Sequence, residues 1–323
     1  MAKTGSNILI TGANGQIGTV LTSELKSIYG GDKIITSDIR PPQNEDEEVT
    51  FINLDVLDRE ALFDTVEKYN IGQVYHLAAI LSAKGEQMPL KAWDVNINSL
   101  FNVLEAARQF ELKIFFPSSI AVFSRHTPQK DTPQHTVMEP ETVYGISKVA
   151  GESWCQYYHD KYGVDVRSVR YPGIIGYNSE PGGGTTDYAV GIFHKAVQDE
   201  PFECYLEAHT RLPMMYMPDA IRATIELMRA EADKLSIRTS YNISGMSFSP
   251  EEIKRAIQKQ VPGFEVKYNP DYRQKIAESW PESIDDSVAR QEWQWKPEYG
   301  LDEMSRDMLD HLREQVNSAD ISN

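Results

Sequence analysis

Along the first half of the chain, short apolar runs alternate with amphipathic stretches at helical spacing. Residues 7–11 (NILIT) read as a buried strand that breaks into Gly12-Ala13-Asn14-Gly15-Gln16-Ile17-Gly18. Ile17, Val20, Leu21, Leu25 and Ile28 then recur on one helix face. A second apolar run, 33–37, ends at Asp38, Ile39 and Arg40. Strands follow near 49–53, before Asp55 and Val56, and at 73–77, before Ala78, Ala79 and Ser82. Helical patterns cover about 59–69 and 91–110. Residues 113–116 form the next strand, leading into Pro117-Ser118-Ser119, and 164–170 another, leading into Tyr171-Pro172-Gly173-Ile174. Strand and helix in alternation predict an α/β fold built on a doubly wound parallel sheet.

Beyond Gly176 the alternation loosens. Residues 178–188 (NSEPGGGTTDY) form a glycine-rich loop, and helices are expected at 189–198, 219–229, 250–260 and 301–316, with a strand at 240–243. The division expected is a dinucleotide-binding Rossmann domain over 1–172 and a smaller C-terminal substrate lobe over 173–323. Part of that lobe, about 214–244, returns to the first domain. The 178–188 loop suits a mobile lid over a small site, though its composition fits a plain surface loop nearly as well.

Charge narrows the partners. The chain has 323 residues and a formal net charge of −16, which argues against nucleic acid or an anionic membrane as main partner. No run approaches a membrane span. The two cysteines, Cys155 and Cys204, have no metal-ligand or redox spacing, and the scattered histidines form no zinc site. They suggest a reducing compartment, with the cytoplasm as default; an organellar protein with its presequence removed would look the same.

The chemistry concentrates in two places. Glycines between a buried strand and a helix permit a tight turn and let backbone N–H groups approach a pyrophosphate. Asp38, twenty residues past Gly18 at a strand end, suits the ribose hydroxyls and repels a 2′-phosphate, which favours NAD over NADP. Arg40 is the residue type that would partner such a phosphate. The second place is Val143-Tyr144-Gly145-Ile146-Ser147-Lys148, opening a helix that runs to about Lys161. Tyr144 and Lys148 share one face of it. A phenol of pKa about 10 is too weak a base at neutral pH, and an adjacent ammonium favours its ionised form. His76 reads as a packed strand-end histidine, and Asn96, in Val95-Asn96-Ile97, as an exposed polar residue on its own pattern.

The ordered set of glycine-rich turn, Asp38, Ser119 and Tyr144/Lys148 resembles the extended short-chain dehydrogenase/reductases over nearly the whole chain. The resemblance implies Tyr144 as general base, Lys148 as the group that lowers its pKa and holds the nicotinamide ribose, and Ser119 as the substrate-orienting hydroxyl. It implies NAD contacts at Gly12, Asn14, Gly15, Gln16, Ile17, Gly18, Asp38, Ile39, Arg40, Asp55, Val56, Leu77, Ala78, Ala79, Asn96, Tyr144, Lys148, Pro172 and Ile174. Nucleotide-sugar epimerases of the family have an asparagine soon after the strand ending Arg170-Tyr171; here Pro172-Gly173-Ile174 stands instead. With 181–188 (PGGGTTDY) and 211–216 (RLPMMY), the chain resembles the short-chain type of L-threonine 3-dehydrogenase. That implies L-threonine as the small-molecule substrate, bordered by Ser82, Ser119, Tyr144, Gly184, Thr185, Thr186 and Trp280, and pairing of the helices near 91–110 and 147–161 in a homodimer. The rival readings are a nucleotide-sugar 4-epimerase with tightly held NAD and a non-enzymatic dinucleotide sensor.

Overall fold

The computed structural model describes residues 5–42, 44, 46–178, 181–182 and 184–321. In chain order the elements begin β1 (Asn7–Thr11), α1 (Gln16–Tyr29), β2 (Ile34–Asp38), β3 (Thr50–Asn53), α2 (Arg59–Lys68), β4 (Ile71–His76), α3 (Ser82–Gln87), α4 (Pro89–Trp93), a π turn (Asp94–Asn98), α5 (Ser99–Phe110) and β5 (Lys113–Ser119). They continue with α6 (Val143–Tyr162), β6 (Asp165–Tyr171), β7 (Gly173–Ile175), α7 (Tyr188–Val197), β8 (Phe202–Cys204), β9 (Leu212–Tyr216) and α8 (Met217–Arg229). The last are β10 (Tyr241–Asn242), β11 (Met246–Phe248), α9 (Pro250–Gln258), β12 (Val266–Tyr268), α10 (Tyr272–Ala277), α11 (Ser287–Trp293) and α12 (Leu301–Ile321).

Seven parallel strands form the central sheet in the order β10-β6-β5-β4-β1-β2-β3. Helices cover both faces, so the inner strands are apolar on both sides: Leu9, Ile10, Ile114 and Phe115 are wholly buried. Strand order reverses on either side of β1, and the crevice at the carboxyl ends there is where such sheets bind ligands. A charge inside this core needs full pairing. Arg167 of β6 meets Asp165 and donates to the carbonyls of Leu227 and Ala230, tying the sheet to the end of α8.

The C-terminal elements pack on a second core. β11, β9 and β7 make a three-stranded sheet, and α7, α9 and α12 bury Phe193, Ile253, Met304 and Met308 with it. β10 instead joins the large sheet beside β6. Local chemistry sets several boundaries. Thr142 accepts a hydrogen bond from Gly145 N–H to cap α6, and Gly163, at φ 72°, closes that helix. Ser249 and Glu252 form a capping box on α9.

The helix expected over 91–110 is broken. Pro89 opens α4, and the π turn at Asp94–Asn98 adds a residue to one helical turn and presents Asn96 to the interior. Asn96 is therefore buried rather than exposed. The short strands β7, β8, β11 and β12 and helices α3, α10 and α11 carry too few residues for a period to show in the sequence, and Pro213 masks β9.

Candidate active site

The turn after β1 is shaped by its glycines. Gly12 has φ +70°, and a Cβ there would lie 2.7 Å from the backbone nitrogen of Ala78. Gly18 lets α1 pack on the same turn, since its Cβ would meet the Gly12 carbonyl at 2.5 Å. Asp38 ends β2 beside this turn. Its carboxylate accepts hydrogen bonds from Asn14 N–H (3.3 Å) and Arg40 N–H (3.2 Å), while Asn14 Nδ2 donates to the Arg40 carbonyl (2.7 Å). The turn after β1 and the end of β2 are thereby fixed as one cradle, with Ala78 close against Gly12. Gly15, Gln16, Ile39 and Arg40 are exposed in it, Ile17 stays half-buried, and Asp55 and Val56 follow the neighbouring edge strand β3.

On the other side of the crevice, Leu77 N–H donates to the Thr11 carbonyl and Ala78 and Ala79 follow. Asn96 holds this stretch from both ends, accepting from Ile80 N–H (2.8 Å) and donating to the Ile80 carbonyl (3.1 Å) and to Ser147 Oγ (3.1 Å). His76 sits below, buried between Thr11 Oγ1 and Ser99 Oγ. Burial pushes its pKa down to about 3, with the Lys148 charge adding to the effect, so it is neutral. That fits a packed histidine.

The end of β5 meets α6 residue by residue. Lys148 Nζ donates to the Pro117 carbonyl (2.6 Å), and Ser118 Oγ donates to Glu152 Oε1 (2.6 Å). Ser119 lies close enough to the Tyr144 phenol to lower its pKa. Lys148 Nζ also lies 4.6 Å from the Phe116 ring centroid and 5.4 Å from that of Tyr144. The structure thus brings Ser119, Tyr144 and Lys148 together directly. It corrects one electrostatic expectation. Burial raises the Tyr144 phenol to about 12, against the lowering by Ser119, and burial lowers Lys148 to about 8. Desolvation outweighs the lowering by Ser119 at Tyr144 and the raising by Cys155 and Glu152 at Lys148.

Pro172, Gly173 and Ile174 continue past the end of β6. A Cβ at Gly173 would stand 2.7 Å from Thr186 Cγ2 and 2.4 Å from Met214 Sδ, so Thr186 packs where a side chain at 173 would be. The residues of the glycine-rich loop that are described are tethered. Gly184 N–H donates to Asp187 Oδ2 (2.8 Å), and the Tyr205 hydroxyl donates to the Gly184 carbonyl (2.9 Å). Thr185 is buried beside Thr186, and Asp187 caps its own loop through Gly184 N–H. Ser179, Glu180 and Gly183 of the expected lid lie outside the described residues. Trp280 is buried in the C-terminal core that Tyr144 borders, and Ser82 opens α3, whose Glu86 accepts from Val143 N–H at the start of α6.

A sequence profile described as the NAD dependent epimerase/dehydratase family matches residues 8–244. The chain belongs to that family. Its cofactor is NAD, and the cradle fits it: backbone comes close at Gly12, and Asp38 stands at the strand end for a ribose. An uncharacterized epimerase/dehydratase from Staphylococcus haemolyticus (strain JCSC1435) is 51% identical over 312 residues, which cover 95% of this chain and 98% of that one. Among solved structures, the GalE-like L-threonine dehydrogenase from Cupriavidus necator in its holo form has 60% identity and a TM-score of 0.93, covering 95% of this chain and 99% of that one. A monomeric L-threonine 3-dehydrogenase from a metagenome, in its apo form, has 48% identity and a TM-score of 0.92 over the same shares.

Sequence reading missed Ser147 and Glu152. Both are buried, and both lie within one or two helical turns of Tyr144. The signal for Glu152 was its position four residues past Lys148, which a solvated helix face shows equally well.

Proposed function

We propose that this protein is an NAD-dependent dehydrogenase that oxidises the 3-hydroxyl of L-threonine to the ketone L-2-amino-3-oxobutyrate. The observation that carries this reading is the convergence of Ser119, Tyr144 and Lys148 at the end of β5, together with a Gly173 that has no side chain and is covered by Thr186. The similarity to L-threonine dehydrogenases at 48–60% identity supports the same substrate. Bound oxidised NAD supplies the hydride acceptor and a cationic ring. Ser119 Oγ orients the substrate hydroxyl, and Tyr144 Oη takes its proton as general base. Lys148 keeps positive charge next to the phenol and has two further N–H donors for ribose hydroxyls once Pro117 has taken one. Thr186 and Trp280 border the amino acid, and enclosing so small a substrate orients its hydroxyl and excludes water.

The same reading pairs two copies through the outer side of α4, α5 and α6. Leu90, Trp93, Ile146, Trp154, Tyr157 and Tyr162 are exposed there, an apolar surface of the kind that marks association.

The test is NADH formation against L-threonine, other 3-hydroxy amino acids, UDP-glucose and UDP-galactose. Saturable NADH production from L-threonine and none from the UDP-sugars is the expected result. UDP-sugar interconversion without threonine oxidation would move the assignment to an epimerase.

A further inference from the structure

Three consecutive residues of β5 meet three residues of α6, and only two of those three have a role in the reaction proposed above. Pro117 is held by Lys148 and Ser119 lies beside Tyr144, but Ser118, between them, is held by Glu152. Tyr144, Lys148 and Glu152 stand at successive four-residue steps on one helix face. Glu152 is 1% exposed, an unusual place for a carboxylate. It is anchored from the next strand: Arg170 of β6 pairs in register with Ser118 and makes two hydrogen bonds to Glu152, at 2.9 and 2.7 Å. Arg170 Nη1 in turn donates to the Gln134 carbonyl and to Asn242 Oδ1 (both 3.0 Å). Asn242 Nδ2 donates to the carbonyls of Thr132 and Asp285. The carboxylate therefore sits where α6, β5 and β6 meet, at the root of the loops that lead to the C-terminal core.

We propose that Glu152 is a positioning residue for the reaction: it clamps the end of β5 to α6 so that Ser119 faces Tyr144, and its charge holds the Lys148 ammonium in the interior one turn away. The charge argument is local. Burial lowers the Lys148 pKa to about 8, and Cys155 and Glu152 oppose that. The Cys155 thiol is itself pushed up by burial and stays protonated, which leaves the Glu152 carboxylate as the opposing charge. Facing groups on the other elements add no negative charge. His76 of β4 is neutral, Asn96 and Ser99 beside it are uncharged, β5 presents the Pro117 carbonyl and the Phe116 ring, and Arg170 of β6 is spent on Glu152.

The inference rests on Lys148 contacting the cofactor, and its test is independent of the substrate. NADH affinity of the full-length protein is measured by fluorescence between about pH 6 and 9.5, a window that brackets the Lys148 titration. The parent loses affinity as Lys148 deprotonates. In Glu152→Gln that loss begins at lower pH, and affinity at about pH 8.5 falls about tenfold, the equivalent of one pKa unit; Glu152→Asp keeps the parent profile. Should the uncompensated Arg170 unfold Glu152→Gln, the double variant Glu152→Met/Arg170→Met removes both charges at similar volume. A displaced profile in whichever of the two variants folds supports the proposal. A parent-like profile in that variant, or unfolding of both, makes Glu152 a scaffold residue and overturns it. A displaced profile in a protein that does not oxidise threonine would sink the substrate reading alone.

Discussion

The two faces of α6 reverse the usual order of a surface helix. The face turned to the sheet carries Ser147, Lys148 and Glu152 beside Cys155 and Tyr158, with Tyr144 half-buried, while Ile146, Trp154, Tyr157 and Tyr162 are exposed among Ser153, Asp160 and Lys161. Polar inside and apolar outside is costly on both counts unless each face finds partners. The inner face has them in the backbone and hydroxyls of β5, in Asn96 and in Arg170. On the outer face Trp154 packs edge-on against Phe101 and Tyr157, and Lys161 and Arg108 reach Tyr157 and Tyr162. The lesson is that amphipathic sign is not read from one helix alone. A polar stripe can point inward when hydrogen-bond partners meet it, and an apolar stripe outward where a second copy is proposed to cover it.

The sharpest break of the comparison is Tyr144→Phe on the inner face. Losing one oxygen should lower kcat by about 10²–10⁴-fold, the range for a positioned general base, with NADH still bound. Fluorescence titration beside steady-state kinetics checks it, and near-normal turnover would refute the assignment of the base.

Next comes the cost of the buried ammonium. Folded Lys148 releases its proton at about 8, whereas an unfolded lysine holds one to about 10.5. Between those values the unfolded chain binds more protons, so stability of the cofactor-free protein rises with pH. The gain attributable to Lys148 is up to on the order of 3 kcal/mol. Lys148→Met should flatten the rise between about pH 8 and 9.5, as read in urea melts; an unchanged slope would show that Lys148 is not the titrating group.

On the outer face, Trp154→Glu combined with Tyr157→Glu should convert a dimer to monomers with the melting temperature of the monomer unchanged. Light scattering decides this, and a monomeric parent would leave the outer aromatics without the partner proposed for them.

The smallest effect falls on the boundary between the faces. Tyr158 is buried but sends its hydroxyl to Glu105 of α5 at 2.7 Å. Tyr158→Phe should cost about 1 kcal/mol of stability, the worth of one hydrogen bond, and leave kcat alone. A fall in kcat would extend the functional face around the helix.

What the sequence determined by itself is whatever depends on neighbours along the chain. The glycines after β1 fix their turn within seven residues, Asp38 follows from the end of one strand, and Tyr144 and Lys148 share a face because four residues make about one helical turn. The alternation of buried strands with amphipathic helices likewise announced the parallel sheet. Only the tertiary structure decided the rest. The π turn that buries Asn96, the seat of Thr186 against Gly173 and the burial of Glu152 against Arg170 all join residues 13 to 51 positions apart. The direction of the Tyr144 and Lys148 shifts was decided there too. Desolvation depends on everything packed around a group, and no local spacing carries that information.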